Sequence, residues 1–356
     1  MKTKLIPQLT LLLFFTLLFS ISSAQSPHRP QVTTWMAFWD WDRSFTEMTT
    51  YPGLFTEVLP FWYDMDSTGN LKHAQGIPEM LKAKKLKFSH REFVQYCHKN
   101  GIKVIPLISN AFQSERVSQV VNNPVLRKKH VKNLVSLTQK YNYDGVDIDY
   151  EGLKREDRDA FSLFMTELST ALHKKGKLLS VAVHAKFSEP GDWDSQIAHN
   201  YVALGKVCDR VRIMAYDHHY SGGAPGCIAP VDWVEKITQF AVTVIPPEKL
   251  YMGVATYGLD WGAPKEKEAM WTTATKLIKE NNITPTWDTT AQEWWFTYQD
   301  PSTYSQRTVW YHDLRVFESR WEMANKYQLG GITFWRLGGI DPSILKYLSE
   351  YKPTQK

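Results

Sequence analysis

The sequence predicts an α/β fold, a (β/α)8 TIM barrel with a small α+β insertion after its seventh strand. Three observations point there. Short β-branched or aromatic runs alternate with stretches of helical period from end to end. The runs number eight, as a closed parallel barrel needs. One interval between them is too long for a simple crossover.

The strands are expected near residues 32–39, 57–63, 103–108, 145–150, 178–184, 210–216, 250–257 and 331–335. Helical candidates fall at 91–99, 125–141, 155–174, 233–244 and 318–327, and a last one at 342–351 follows the eighth strand. The long interval, residues 262–311, has a helical stretch at 272–280 and strand-like stretches at 286–288 and 294–298. An insertion there would rise beside the C-terminal face of the barrel, where active sites sit.

Residues 1–24 read as an export signal. Lys2 and Lys4 make a basic head, Leu9 to Ile21 is an apolar run of 13 residues, and Ser22-Ser23-Ala24 is a small-residue cleavage site. That run is well short of the roughly 20 residues a membrane-spanning helix needs, so no membrane span is expected. A secreted, extracellular or periplasmic chain of residues 25–356 would remain, about 330 residues forming one barrel domain. Removing Lys2 and Lys4 takes the formal net charge from +5 to +3, too small to imply a nucleic-acid partner. Cys97, Cys208 and Cys227 show no metal-site spacing and allow one internal disulfide at most. Fourteen Trp and seventeen Tyr are a stock of aromatic faces suited to sugar rings, although most serve as core in any barrel.

The most informative run is Tyr143-Asp144-Gly145-Val146-Asp147-Ile148-Asp149-Tyr150-Glu151-Gly152. Asp147, Asp149 and Glu151 alternate with Val146, Ile148 and Tyr150, the period of a strand with one polar and one apolar face. In a barrel the apolar set packs outward on helices and the acids stack inward towards the mouth. Carboxylates so stacked repel, and at least one should hold a proton at neutral pH. Glu151, the outermost, is placed to protonate a leaving oxygen, with Asp149 about 7 Å away along the strand. A solvated acidic strand gains nothing from this alternation. A calcium loop fails at its twelfth position, where Arg158 stands in place of a bidentate Glu.

Here the chain resembles glycoside hydrolase family 18, the chitinase-type barrels, whose hallmark is a DxxDxDxE strand. Asp144, Asp147, Asp149 and Glu151 fill it, on the fourth predicted strand. Met214-Ala215-Tyr216-Asp217 near the end of the sixth strand matches the family's MxYD motif, and the eighth strand ends in Trp335, where the family places the aromatic floor of its cleavage subsite. Phe61-Trp62-Tyr63 and the Trp335-Arg336-Leu337-Gly338-Gly339 run are most similar to the bacterial branch that includes spore-cortex and cell-wall N-acetylglucosaminidases.

The resemblance implies a retaining hydrolase of β-1,4-linked N-acetylglucosamine polymers, chitin or chito-oligosaccharides, in which the substrate's own 2-acetamido oxygen is the nucleophile. Glu151, Asp149, Asp147 and Tyr216 would be catalytic. Asp144, anchoring the column from below, and Met214, Asp217 and Trp335 would bind substrate. Peptidoglycan and the N-glycan core carry the same acetamido group and stand as alternatives, as does a lectin on the same barrel. No metal or organic cofactor is called for, and His218-His219 reads as a loop feature. The expected partner is an N-acetylglucosamine-containing polysaccharide, met by a monomer.

Overall fold

The computed structural model describes residues 28–74 and 89–352. The expected export signal, residues 1–24, lies outside them. In chain order the strands are β1 (Gln31–Met36), β2 (Glu57–Met65), β3 (Leu71–His73), β4 (Lys103–Val104), β5 (Leu107–Ser109), β6 (Gly145–Asp149), β7 (Leu178–His184), β8 (Arg210–Met214), β9 (Leu250–Ala255), β10 (Tyr257–Trp261), β11 (Lys267–Met270), β12 (Thr286–Asp288), β13 (Glu293–Gln299), β14 (Gln306–Tyr311) and β15 (Gly331–Trp335).

Parallel pairing runs from β1 through β2, β5, β6, β7, β8, β9 and β15 and returns to β1, which closes a (β/α)8 barrel on the eight predicted strands. β4 leads into β5 along the same edge of β2, and β3 folds back antiparallel on the extended end of β2. Local signals start the helices. Ser89 and Glu92 form a reciprocal capping box before His90–Lys99. Asn123 caps Pro124–Tyr141 with proline at the first position, and Asp341 does the same for Pro342–Glu350.

The outward face of β6 is apolar, as the alternation requires. Val146, Ile148 and Tyr150 are buried, and the Tyr150 ring lies 6.2 Å from Phe164 on the helix Arg158–His173. Gly145 is fixed by close approach, since a Cβ there would sit 2.2 Å from the Leu178 carbonyl oxygen of β7.

The barrel floor is polar and centred on Arg212 of β8. Its guanidinium donates to Glu57 at 2.6 Å, Ser180 at 2.9 Å, Thr33 at 2.8 Å and Thr333 at 2.7 Å, and it lies 4.6 Å from the centroid of the Tyr251 ring. Six strands thus meet on one buried cation. Burial alone would raise the Glu57 carboxyl, but Arg212 and Arg210 outweigh it and hold Glu57 below its ordinary range.

The chain leaves the barrel at Thr256, whose N–H donates to the Trp335 carbonyl at 3.0 Å. It then builds a five-stranded antiparallel sheet in the order β11-β10-β14-β13-β12. This sheet begins at Tyr257, earlier than the sequence pattern marks it, because β9 ends at Ala255 and Tyr257 already pairs with Met270. The helix Trp271–Glu280 covers one face through Ala274, against Ala269, Phe296 and Val309. Glu293 of β13 ties the sheet to the barrel. It accepts from the Ile228 and Ala229 N–H groups at 2.8 and 2.7 Å and lies 3.2 Å from His312. Among the described residues no helix is long and apolar enough to cross a membrane.

Breaking a buried ion pair strands its partner, so Arg212→Leu should cost about 3–5 kcal/mol in urea unfolding. Pairing it with Glu57→Gln should recover part of that loss. Wild-type stability in Arg212→Leu alone would show that the floor does not depend on this cation.

Candidate active site

The acids of β6 climb the inside of the barrel with increasing freedom. Asp147 is fully buried beside the floor, and its Oδ2 accepts from Trp35 Nε1 at 2.9 Å while Oδ1 stands 3.8 Å from Arg212 Nε. Burial raises its pKa, and Arg212, Ser180 and Trp35 offset this only in part. Asp149 follows, level with Ser109 of β5. Among the described residues nothing donates to its Oδ1. Burial, then the charges of Glu151 and Asp147, push its carboxyl well above the usual range. Glu151 stands just past the strand end. Burial first, and the Asp217 charge second, push it up to about 7. Asn110 clamps the Glu151 backbone, donating to its carbonyl at 2.7 Å and accepting from its N–H at 3.0 Å.

β8 brings the second motif to the same mouth. The Tyr216 hydroxyl is held firmly protonated, first by burial and then by the charges of Asp217, Asp149, Glu151 and Asp147. Its ring needs Gly253 on β9: an added Cβ would come within 2.9 Å of Tyr216 Cε1. Asp217 adopts a left-handed backbone with φ of 60° and accepts a hydrogen bond from Tyr257 Oη.

Trp335 ends β15, edge-on to Trp35 at 6.2 Å and to Trp39 at 6.3 Å. The run behind it is locked. Arg336 donates to Asp40 at 2.6 Å, and Glu47 accepts from the N–H groups of Gly338 and Gly339, each at 2.6 Å.

These groups open on a cleft of 660 Å³ walled by Glu151, His184, Trp193, Met214, Asp217 and Trp233. The sequence motifs did not reveal His184, whose Nε2 lies 3.8 Å from Glu151 Oε2. Burial lowers its pKa to about 4, which keeps it neutral. Its place at the C-terminal end of a barrel strand was the available signal. Trp193, 45% exposed, rides on the loop after β7. Lys186 holds that loop, donating to the carbonyls of His199 at 2.6 Å and Gln196 at 3.0 Å.

Asp144 is not at this site. It precedes β6 at the opposite end of the barrel, where its carboxylate accepts from the Val104 N–H at 2.8 Å and lies 2.8 Å from His98 Nε2. Seven residues of strand put it about 23 Å below Glu151, so it pins β6 to the scaffold and cannot bind substrate in the cleft. Of the other aromatics, Trp39 stands beside Trp335, whereas Trp41 and Trp261 are core. Trp294 and Trp295 lie on β13, with Trp295 stacked on Trp310. All three cysteines are free thiols.

A closed barrel with a stacked acidic strand and an aromatic-lined mouth suits a glycosidase. The chain belongs to glycosyl hydrolases family 18, whose model matches residues 34–339. It is 30% identical over 260 residues to the uncharacterized glycosylase YvbX of Bacillus subtilis (strain 168), covering 70% of this chain and 75% of that protein. It is 31% identical over 254 residues to a cortical fragment-lytic enzyme of Bacillus anthracis, covering 69% of this chain but 59% of that longer protein. Among solved structures, the fold is shared with the spore cortex-lytic enzyme SleL of Bacillus cereus, at TM-score 0.80 and 23% identity over 93% of this chain and 76% of that one. It is shared too with a chitinase from Chromobacterium violaceum ATCC 12472, at TM-score 0.81 and 24% identity over 91% and 100% of the two chains.

Because Asp217 is the charge that helps hold the Glu151 proton, Asp217→Asn should lower the Glu151 pKa from about 7. The proton would then leave at lower pH, which carbon NMR titration of the labelled carboxyl reads directly. An unmoved titration would mean that burial alone sets it.

Proposed function

We propose that the protein hydrolyses β-1,4 links of N-acetylglucosamine-containing polysaccharide with retention of configuration, using the substrate's 2-acetamido group as nucleophile. The observation that carries this reading is the inward column itself, in which Glu151 keeps a proton to about 7 at the mouth and Asp149 below it is held well above the usual carboxylate range, a poor nucleophile. The column suits a nucleophile that belongs to the sugar.

In this reading Glu151 gives its proton to the departing glycosidic oxygen as the acetamido carbonyl oxygen bonds to the anomeric carbon. Asp149 accepts the acetamido N–H and offsets the positive charge of the oxazolinium ring, and Asp147 shares a proton with Asp149. Tyr216 donates to the acetamido oxygen and holds it in line. Met214 and Asp217 line the cleft wall, and Trp335, beside Trp39, would supply a face for the sugar ring. Glu151, now a carboxylate, takes a proton from water as that water opens the ring, so the first configuration returns.

Chitin-type chains and peptidoglycan strands both provide the acetamido group. The similarity to a cortical fragment-lytic enzyme favours the cell-wall substrate. We place the enzyme outside the cytoplasm on the strength of the sequence of residues 1–24, acting as a monomer.

Mass spectrometry of products from chito-oligosaccharides and from purified peptidoglycan, offered in parallel, tests the reading. Cleavage at N-acetylglucosamine on either one is expected, and the substrate cut names the branch. Glu151→Gln should lose about 10²–10⁴-fold in kcat while still binding oligosaccharide. Near wild-type turnover in Glu151→Gln would end this mechanism, and binding without cleavage by the wild type would make the barrel a lectin.

The Glu151 proton also sets a pH limit. A general acid with its pKa raised to about 7 keeps its proton below that pH and has lost it above, so kcat should fall as pH rises through about 7. A flat profile from pH 6 to about 8 would contradict the assignment of Glu151 as the acid.

A further inference from the structure

Beside the cleft, the segment between β8 and the helix Val231–Val244 brings together three soft donors that the proposed chemistry does not use: His218, His219 and Cys227. One ligand atom from each lies within 4.8 Å of the other two. His218 Nδ1 and His219 Nδ1 are 3.2 Å apart, and Cys227 Sγ is 3.8 Å from His219 Nδ1. A tetrahedral zinc ion with bonds of about 2.05 Å to nitrogen and about 2.3 Å to sulfur needs edges of about 3.4 Å between nitrogens and about 3.6 Å between nitrogen and sulfur. The two measured edges fall close to those values.

The donors are also held in place before any ion arrives. The His218 N–H donates to the Ile228 carbonyl at 2.8 Å and the His219 N–H to the Cys227 carbonyl at 3.2 Å, so the two ligand-bearing stretches are cross-tied. Glu293 pins the Ile228 and Ala229 N–H groups, and it is itself buried against Arg320 and His312. The His218 ring is braced by Trp233 at 5.3 Å. Gly226 leaves room for the His219 ring, which a Cβ would approach to 2.6 Å. His219 Nδ1 is moreover crowded by His218 Nδ1, the Cys227 carbonyl at 2.9 Å and Cys227 Sγ. In the ion-free chain the proton of this nitrogen serves the Cys227 carbonyl, and a bound ion would take the place of that proton between the two nitrogens and the sulfur.

We propose that His218, His219 and Cys227 bind one zinc-class transition-metal ion, with a fourth position left for water or a backbone carbonyl. Imidazole and thiolate donors select such ions over magnesium and calcium. The ion would tie down the loop on which His218 reaches the cleft wall. This is a site distinct from the acid column, and nothing in it depends on which glycan is cut.

The test uses the untagged full chain, stripped with chelator and titrated with Co²⁺. One equivalent should bind and develop a thiolate-to-cobalt charge-transfer band in the near ultraviolet. Zn²⁺ should displace the cobalt and Mg²⁺ should not. Cys227→Ser should abolish the band, and His219→Ala and His218→Ala should each weaken zinc at least about tenfold in competition. His218 is exposed, so its alanine variant keeps the test decisive if another variant fails to fold. Absence of stoichiometric binding, a band that survives Cys227→Ser, or zinc affinity unchanged in His218→Ala would overturn the site.

Discussion

Everything in this molecule follows from placing stacked carboxylates inside a closed barrel. Asp147 and Asp149 share one face of β6, Glu151 follows just past its end, and Glu57 joins them near the floor. Two like charges one strand repeat apart, about 7 Å, repel by about 2 kcal/mol at an effective dielectric of about 20. The buried cation of the floor, Arg212, is engaged mainly with Glu57 and stands 3.8 Å from Asp147. Its compensation therefore fades up the column, and protons must replace the missing positive charge. The result is a gradient from Asp147, partly offset by Arg212, to Glu151 at the mouth, whose proton is retained near neutral pH yet open to exchange.

The frame around the column keeps that gradient from relaxing. Trp35 bonds Asp147 and packs edge-on against Trp335, so the acid column and Trp335 share one support. Asn110 fixes the backbone at Glu151 from the neighbouring strand, and Gly253 leaves the space that Tyr216 occupies. Neutral His184 adds no charge beside Glu151. Each of these groups comes from a different strand or the loop at its end. A barrel gathers such ends onto one face, which explains how groups far apart in sequence meet there.

What could be read from the sequence was what repeats locally. The period of two in Val146, Ile148 and Tyr150 set against Asp147, Asp149 and Glu151 marked both the strand and its inward face, and eight short β-branched or aromatic runs marked the barrel. Asp144 shows where spacing misleads. It belongs to the motif by number, yet it precedes the strand and turns to Val104 and His98 outside the column. Arg212, Asn110 and His184 were not legible, because their roles depend on contacts across 32 to 179 positions of chain that no local pattern encodes. The early start of the second sheet was hidden for a related reason. Leu250 to Tyr257 is one apolar run, and only the tertiary bond from Thr256 to Trp335 divides it.

The central claim is that the sugar's own acetamido group is the nucleophile, since the column supplies an acid and a stabilising carboxyl but no attacking partner. The most direct measurement compares cleavage of a fully N-acetylated chito-oligosaccharide with that of its fully de-N-acetylated counterpart, matched in length, by mass spectrometry of the products. The account predicts hydrolysis of the acetylated chain and none of the other. Hydrolysis of both at similar rates would contradict it, because a protein nucleophile would then have to exist where none has been assigned.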